Sequence, residues 1–302
     1  MPYSKFIVNP AAGAGKTARR WPHIMALLKS IGLRFEHDWT EAPGHATELA
    51  REAVQKGYEQ IVSVGGDGTI NEVVNGLYAS GNIKDVLMGI ISMGTGGDYA
   101  RTIGLRRPYQ ETCRCFVNPG KMTVDLGIMQ YMSNGSEVHR LFANFAGMGF
   151  DAEIVRRTTQ QFKSLGSAAS YLLGLFTTLV SYKNRAVSLV IDGEMMNREV
   201  CTVIMNNGKY GGGGMLTAPD ADLTDGYLDV LIVGNLSKPD LLRSLPSIYK
   251  GTHLTHPKVE LRKAREIEVR TEESLFLQAD GELLGQVPAR FSILPQALNV
   301  VV

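Results

Sequence analysis

Apolar residues follow two different rhythms along this chain. Up to about residue 120, short apolar runs alternate with stretches in which apolar positions recur every three to four residues. The runs are Phe6-Ile7-Val8, Ile61-Val62-Ser63-Val64 and 87–92, together with the alternating Leu33, Phe35, His37 and Trp39. Between them lie Trp21, Ile24, Met25 and Leu28, then Leu49, Ala50, Ala53 and Val54, then Ile70, Val73, Val74 and Leu77. The runs predict buried strands and the recurring positions predict amphipathic helices. Gly32 and Gly57 stand where the first two helices should stop. Strands alternating with helices predict an α/β layer built on a mostly parallel sheet.

Beyond Gly120 the rhythm changes. Short apolar runs at 124–131, 141–146, 187–191, 200–205, 228–233, 259–261, 267–269, 275–279 and 291–294 are separated mainly by turn residues. This pattern predicts a mostly antiparallel β domain. Two helices interrupt it. That at 239–249 is amphipathic. That at 168–180 is apolar over most of its surface, flanked by Lys163 and Lys183, and too short to span a bilayer. It reads as a core helix, or as one lining a lipid pocket or touching a membrane surface.

The 302 residues suffice for two domains. A net charge of +1 gives no electrostatic case for nucleic acid. The three cysteines (Cys113, Cys115, Cys201) contain no CxxC, which suits a reduced, cytoplasmic chain. The N-terminus enters a strand at once, with no leader pattern, and no apolar run is long enough for a membrane span.

The candidate chemistry begins at IVSVGGDGTINEVVN, residues 61–75. Gly65, Gly66 and Gly68 clear side chains from a loop between a strand and a helix, so backbone amides can approach an anion. Thr69 and Glu72 have capping-box spacing, which would start the helix where the glycines stop. Asp67 sits among the glycines and has a use there if it holds a metal, a water or a hydroxyl. An ordinary glycine-rich βα turn explains the same residues. The loop 9–17 is similar. Its Gly15-Lys16-Thr17 resembles the end of a P-loop, but the required first glycine falls on Pro10. Gly13, Gly15 and Ala18 satisfy a loose dinucleotide fingerprint, with Glu36 or Asp38 as ribose acids. A third loop, 93–98, follows the strand at 87–92. Three such loops at the carboxyl ends of strands point to a nucleotide or phosphate site.

In the second half, Asp220, Asp222, Asp225 and Asp229 offer oxygen ligands for Mg²⁺ or Ca²⁺, or else a polar turn around Asp225-Gly226. The spacing is not that of an EF-hand. The triplet Asp-Gly-Glu occurs at 192–194 and at 280–282. Either could be a hairpin turn, and a positioned carboxylate in either could serve as a base toward an alcohol.

Taken together, Asn9-Pro10 with Gly13, GGDGTINEVVNGL at 65–77 and GIISMGTGGDYARTIGL at 89–105 resemble the diacylglycerol-kinase catalytic family, in its bacterial soluble lipid-kinase branch. Sphingosine and ceramide kinases belong to the same family. The second half agrees: Val124 to Gly127, 142–151, Asn206-Asn207-Gly208 with Gly211 to Gly214, Ala218-Pro219-Asp220, 225–230 and Asp280-Gly281-Glu282. The resemblance covers nearly the whole chain in order. It implies an α/β ATP-binding domain over 1–123, to which 289–302 returns, and a β-sandwich acceptor domain over 124–288, with the active site in the cleft.

It also implies roles. Asn9, Pro10, Ala11, Ala12 and Gly13, Thr40, Gly65, Gly66, Asp67, Gly68, Thr69 and Asn71, and Gly94 and Thr95 would hold ATP. Asp67 and Asp98 would organise the catalytic Mg²⁺ and its waters. Asp222, Asp225 and the Tyr227 carbonyl would match a structural Mg²⁺ site. Asp280 would orient or deprotonate a lipid hydroxyl, with Glu282 competing for the base role, and the triplet at 192–194 falls back to a turn. Where the family usually reads GTGND, this chain has Gly97 in place of asparagine.

The implied activity is ATP- and Mg²⁺-dependent phosphorylation of a lipid hydroxyl, most simply that of diacylglycerol to give phosphatidic acid. Membrane contact would be peripheral, and a homodimer stays open. GGDGT also occurs in NAD kinases, which keeps a small-molecule kinase as an alternative, and Gly97 keeps a non-catalytic nucleotide or lipid sensor in view. A dinucleotide-dependent oxidoreductase rests on the loose fingerprint alone.

Overall fold

A computed structural model describes residues 3–105, 107–161 and 167–302, with the backbone alone at 161 and 167–172. The chain divides into two units, Met1–Leu126 with Pro295–Val302, and Gly127–Leu294.

The first unit runs β1 (Ser4–Val8), α1 (Ala12–Ser30), β2 (Phe35–Trp39), α2 (His45–Gln55), β3 (Gln60–Gly65), α3 (Asp67–Ala79), β4 (Leu87–Ser92), α4 (Asp98–Thr102) and α5 (Tyr109–Cys115). The strands pair in parallel in the order β4-β3-β1-β2. Val8 stands beside Trp39 and Val64, and Gly65 beside Ser92, so the carboxyl ends line up. β1 and β3 are buried at every residue, as strands covered on both faces must be. The end of the last strand of the chain returns to this unit, with Asn299 parallel to Leu87 of β4. Phe6, Trp21, Ile24, Leu28 and Phe116 form one core cluster, the Phe6 ring packing on Trp21 and Phe116.

Two local expectations need correction. α3 begins at Asp67 with Gly66 as N-cap, not at Thr69, and no capping box forms. The Thr69 hydroxyl instead accepts from Asn9 Nδ2 (3.0 Å), and Glu72 Oε2 accepts from the Ala46 amide (3.1 Å) at the start of α2. α5 had no sequence signal, because its buried face is only Thr112 and Cys113.

The second unit runs from the latter part of β5 (Lys121–Ser133) through β6 (Ser136–Phe142), β7 (Phe145–Gly149), α6 (Phe150–Gln161), α7 (Ser167–Ser181), β8 (Arg185–Ile191) and β9 (Glu194–Asn206). It continues with β10 (Tyr210–Gly211), β11 (Met215–Leu216), β12 (Leu228–Gly234), α8 (Lys238–Lys250), β13 (Val259–Ala264), β14 (Glu266–Arg270), β15 (Phe276–Ala279), β16 (Glu282–Gln286) and the first part of β17 (Ala289–Val301). Its described strand pairs are antiparallel. β9 pairs with β8 through its first half and with β7 and β12 through its second. Successive residues of β9 alternate between two cores: Val203 and Met205 join Phe142, Leu277 and Phe291, while Ile204 joins Phe150, Ile154 and Leu231. Residues on both faces are thus buried, giving a sandwich-like β unit.

The run at 141–146 is not one strand. It breaks at Ala143-Asn144 into β6 and β7. α6 carries no clear apolar periodicity, because few of its residues are apolar and buried. It packs on α7 closely enough that a Cβ at Gly174 would stand 2.5 Å from the Thr158 hydroxyl, and Arg157 donates to the Thr177 carbonyl (2.8 Å). The helix expected at 168–180 is α7. Lys163 and the side chains of 168–172 lie outside the described residues.

Candidate active site

In the first unit three glycine loops follow β1, β3 and β4, and contacts between them bring them together. Asn9 ties the first loop to the second through Thr69, and its Oδ1 accepts the Ala11 amide (3.0 Å). Gly13 is left-handed (φ 61°), and a Cβ there would stand 2.3 Å from the Met93 carbonyl oxygen, so the first loop lies directly on the third. A Cβ on Gly94 would come within 2.6 Å of Gly66 Cα, so the second and third loops also meet backbone to backbone. α3 has no side-chain cap, and the amides of its first turn suit an anion.

The expected nucleotide residues fall as follows. Ala11, Gly68 and Thr95 are exposed, and Pro10, Ala12, Gly13, Gly66 and Gly94 are half-buried. Gly65 and Thr69 are buried, and a Cβ on Gly65 would clash with Thr69. Thr40 is buried at the end of β2, its amide donating to Val8 (2.9 Å). Asn71 is also buried, its Oδ1 accepting from Asn75. The two oxygens of Asp67 accept the amides of Gly97 (2.9 Å) and Tyr99 (3.1 Å). Asp67 therefore holds the third loop and the start of α4, and each of its oxygens keeps a second acceptor direction. Asp98 is buried at the first position of α4. These are hard oxygen donors of the kind Mg²⁺ takes. Gly97 is left-handed (φ 62°), a conformation that glycine and asparagine tolerate best. The backbone demand at position 97 is thus met by either residue.

In the second unit Asp280 occupies the turn between β15 and β16 in a left-handed conformation (φ 47°). Its carboxylate accepts three successive amides, Ala143 to Oδ2 (2.7 Å) and Asn144 and Phe145 to Oδ1 (3.0 and 2.9 Å). These are the residues at the β6–β7 break, so the interruption of the strand is what turns three N–H groups toward one carboxylate. Asn144 is braced from the other side: its carbonyl accepts the amides of Asn207 and Gly208 (2.9 and 2.8 Å), and its side chain donates to the Tyr210 carbonyl. Glu282 is exposed and ion-paired with Arg140. Gln278 and Asp151 lie behind the turn, joined by a 2.8 Å hydrogen bond. Sequence reasoning had no role for Arg140, Asn144, Gln278 or Asp151, whose partners are far away in the chain.

The acidic loop at 220–229 is less convergent. Asp222 Oδ1 accepts the Thr224 amide and hydroxyl, which hold its carboxyl below the usual range. Asp225 Oδ1 accepts the Tyr227 amide (3.0 Å) and Oδ2 is ion-paired with Lys263. Asp229 is buried in β12, and burial pushes its carboxyl up. Among the described residues no three His, Cys, Asp or Glu side chains are placed to share a metal. Asp222, Asp225 and the Tyr227 carbonyl remain an all-oxygen donor set, with the Lys263 ammonium standing as a cation against it.

Comparison with known proteins agrees with both halves of this picture. Residues 4–129 match the diacylglycerol kinase catalytic domain, and residues 144–302 match the YegS C-terminal NAD kinase beta sandwich-like domain. The chain is 30% identical over 298 residues to a diacylglycerol kinase of Staphylococcus carnosus, covering 98% of this chain and 94% of that one. It is 29% identical over 303 residues to a diacylglycerol kinase of Bacillus subtilis, covering 100% of this chain and 96% of that one. A crystal structure of a putative diacylglycerol kinase from Bacillus anthracis superposes with a TM-score of 0.79 at 25% identity, covering 99% and 97% of the two chains. The converging glycine loops, the sandwich-like β unit and these full-length matches place the chain in the diacylglycerol kinase catalytic-domain family, as an ATP-dependent kinase.

Proposed function

We propose that this chain transfers the γ-phosphoryl group of ATP to a lipid hydroxyl in the presence of Mg²⁺, with diacylglycerol as the foremost acceptor and phosphatidic acid as product. The observation that carries this reading is the Asp280 carboxylate, held by three consecutive amides at a strand break. Such a carboxylate is aimed rather than mobile, which is what orienting a weak nucleophile requires. The acceptor oxygen forms a bond to the γ-phosphorus, the bond to the β–γ bridging oxygen breaks, ADP leaves, and the hydroxyl proton passes toward Asp280. The glycine loops contribute amides to the phosphates, and Asn9 and Thr69 lock two of those loops together. Bound Mg²⁺ would supply charge neutralisation on the phosphates, with Asp67 and Asp98 as its organising carboxylates. Asp222, Asp225 and the Tyr227 carbonyl would hold a second, structural ion only by displacing Lys263 from Asp225.

Peripheral membrane contact is supported by α7, where Leu173, Phe176 and Val180 are 40%, 55% and 71% exposed at positions i, i+3 and i+7 of one helix face. No described helix is long and apolar enough to cross a membrane.

The test is γ-phosphate transfer with ATP and Mg²⁺ to diacylglycerol, monoacylglycerol, phosphatidylglycerol and sphingoid bases in mixed micelles, with NAD and no-acceptor controls. Label on a lipid with wild type and none with Asp280→Ala is the expected result. Label on NAD alone would replace the lipid reading with the small-molecule one.

A further inference from the structure

Gln278 stands two residues before Asp280 and is fully buried. Both ends of its amide are engaged. Oε1 accepts the amide of Gly281, the residue after Asp280 (3.0 Å), and Nε2 donates to Asp151 Oδ2 (2.8 Å). Asp151 Oδ1 in turn accepts the Thr202 hydroxyl (2.6 Å). Gln278 pairs with Gly147 across β15 and β7. A Cβ at 147 would stand 2.2 Å from Asp151 Oδ2 and 3.2 Å from Gln278 Nε2. The bare backbone at 147 is therefore what leaves room for the bond.

The polarity of this chain of bonds is fixed. A carboxylate only accepts, so the NH₂ end of the Gln278 amide must face Asp151, and its carbonyl must face Gly281. Turning the amide round would set a carbonyl against a carboxylate and an NH₂ against an N–H. The other Asp-Gly-Glu turn shows that such a bridge is not needed to form the turn: Asp192 and Gly193 reach φ 46° and 87° with Val190 in the position of Gln278. Enclosing the Asp151 carboxylate raises its pKa through burial, a cost that its donors oppose. Beside the turn at 280–282 the chain carries an enclosed carboxyl group and an amide bonded at both ends that the turn alone does not require.

We propose that Asp151 and Gln278 are positioning residues for the transfer: Asp151 sets the direction of the Gln278 amide, which through Gly281 fixes the Asp280 carboxylate against the acceptor hydroxyl. This rests on the role given to Asp280 above. In Asp151→Asn the carboxamide keeps its carbonyl on Gln278 Nε2 and turns its NH₂ to the Thr202 hydroxyl, which donates instead to the Met148 carbonyl (2.9 Å), so this variant removes the charge and keeps the bond. In Gln278→Glu two carboxylates oppose each other. In the double variant, Asp151→Asn with Gln278→Glu, the two groups exchange places. The carboxamide at position 151 donates to the carboxylate at position 278, that carboxylate also accepts from Gly281, and every donor again meets an acceptor.

The experiment measures kcat and both KM values on diacylglycerol micelles for wild type, the two single variants, the double variant and Asp280→Ala. Thermal midpoints and hydrogen exchange at the Gly281 amide accompany them. Gln278→Glu is expected to lose about 10–100-fold in kcat with the KM for ATP unchanged and to lose protection at Gly281, and Asp151→Asn to lose less than Gln278→Glu on both measures. The double variant is expected to recover kcat to within about threefold and to regain protection. Should Gln278→Glu fail to fold, Gln278→Met tests the same link. A Gln278→Glu variant that keeps wild-type kcat while Asp280→Ala is inactive, or that loses rate only in step with the folded fraction and without recovery in the double, would overturn the relay. Full activity in Asp280→Ala would instead overturn the role of Asp280, and unchanged Gly281 protection in Gln278→Glu would overturn the relay without reference to any acceptor.

Discussion

The two Asp-Gly-Glu turns of the second unit share almost the same backbone. Asp192 and Asp280 have φ 46° and 47°, and the following glycines 87° and 82°. Each aspartate accepts amides from a neighbouring segment: Arg265 and Glu266 to Asp192 (3.0 and 2.8 Å), and 143–145 to Asp280. Each glutamate is paired with an arginine, Glu194 with Arg262 and Glu282 with Arg140. What differs is the surroundings. The donors to Asp192 are Arg265, between β13 and β14, and Glu266, the first residue of β14. Those to Asp280 lie in a broken strand that Asn207, Gly208 and Tyr210 brace from behind, with Gln278 beneath the turn. The triplet makes a turn that points a carboxylate at backbone amides, and only the packing around one copy makes that carboxylate a candidate for chemistry.

The largest effect that could break this comparison is on turnover. Asp280→Ala is expected to lower kcat about 10²–10⁴-fold with ATP binding retained, while Asp192→Ala keeps turnover per folded molecule within about twofold. Equal losses in the two variants, in parallel micelle assays, would mean that neither turn is special. A stability measurement comes next. Asp192→Ala strands two amides and should cost about 1–3 kcal/mol in urea unfolding, so the structural copy shows its loss there rather than in rate.

The glutamates sharpen the assignment of the base. Both take part in ion pairs near the surface, so Glu194→Gln and Glu282→Gln should each cost about 1 kcal/mol or less and leave kcat within about threefold. A large rate loss confined to Glu282→Gln would move the proton-accepting role to that residue. The smallest effect is expected at a third left-handed position, Gly97. Gly97→Asn should be near neutral in stability and in the KM for ATP, because asparagine tolerates the same backbone and the amide to Asp67 remains. Gly97→Val should cost about 1–3 kcal/mol through backbone strain.

Where information is local in the chain, reading the residues was enough. Periodicity located β1 to β4 and α1 to α3, because burial on one face imposes it. Glycines marked the three loops, because a left-handed φ or a close backbone approach at Gly13 and Gly94 excludes a side chain. The order of motifs also pointed to the family. Tertiary structure decided the rest, because a hydrogen-bonding side chain does not name its partner. Thr69 and Glu72 have the spacing of a cap, yet they bond to Asn9 and Ala46 instead. The apolar run at 141–146 conceals a break whose amides serve a carboxylate at least 135 residues away. Asp151 and Gln278 are 127 residues apart, and nothing near either one shows that they meet. The two Asp-Gly-Glu triplets are identical as sequence and became distinct only when other strands were packed around one of them.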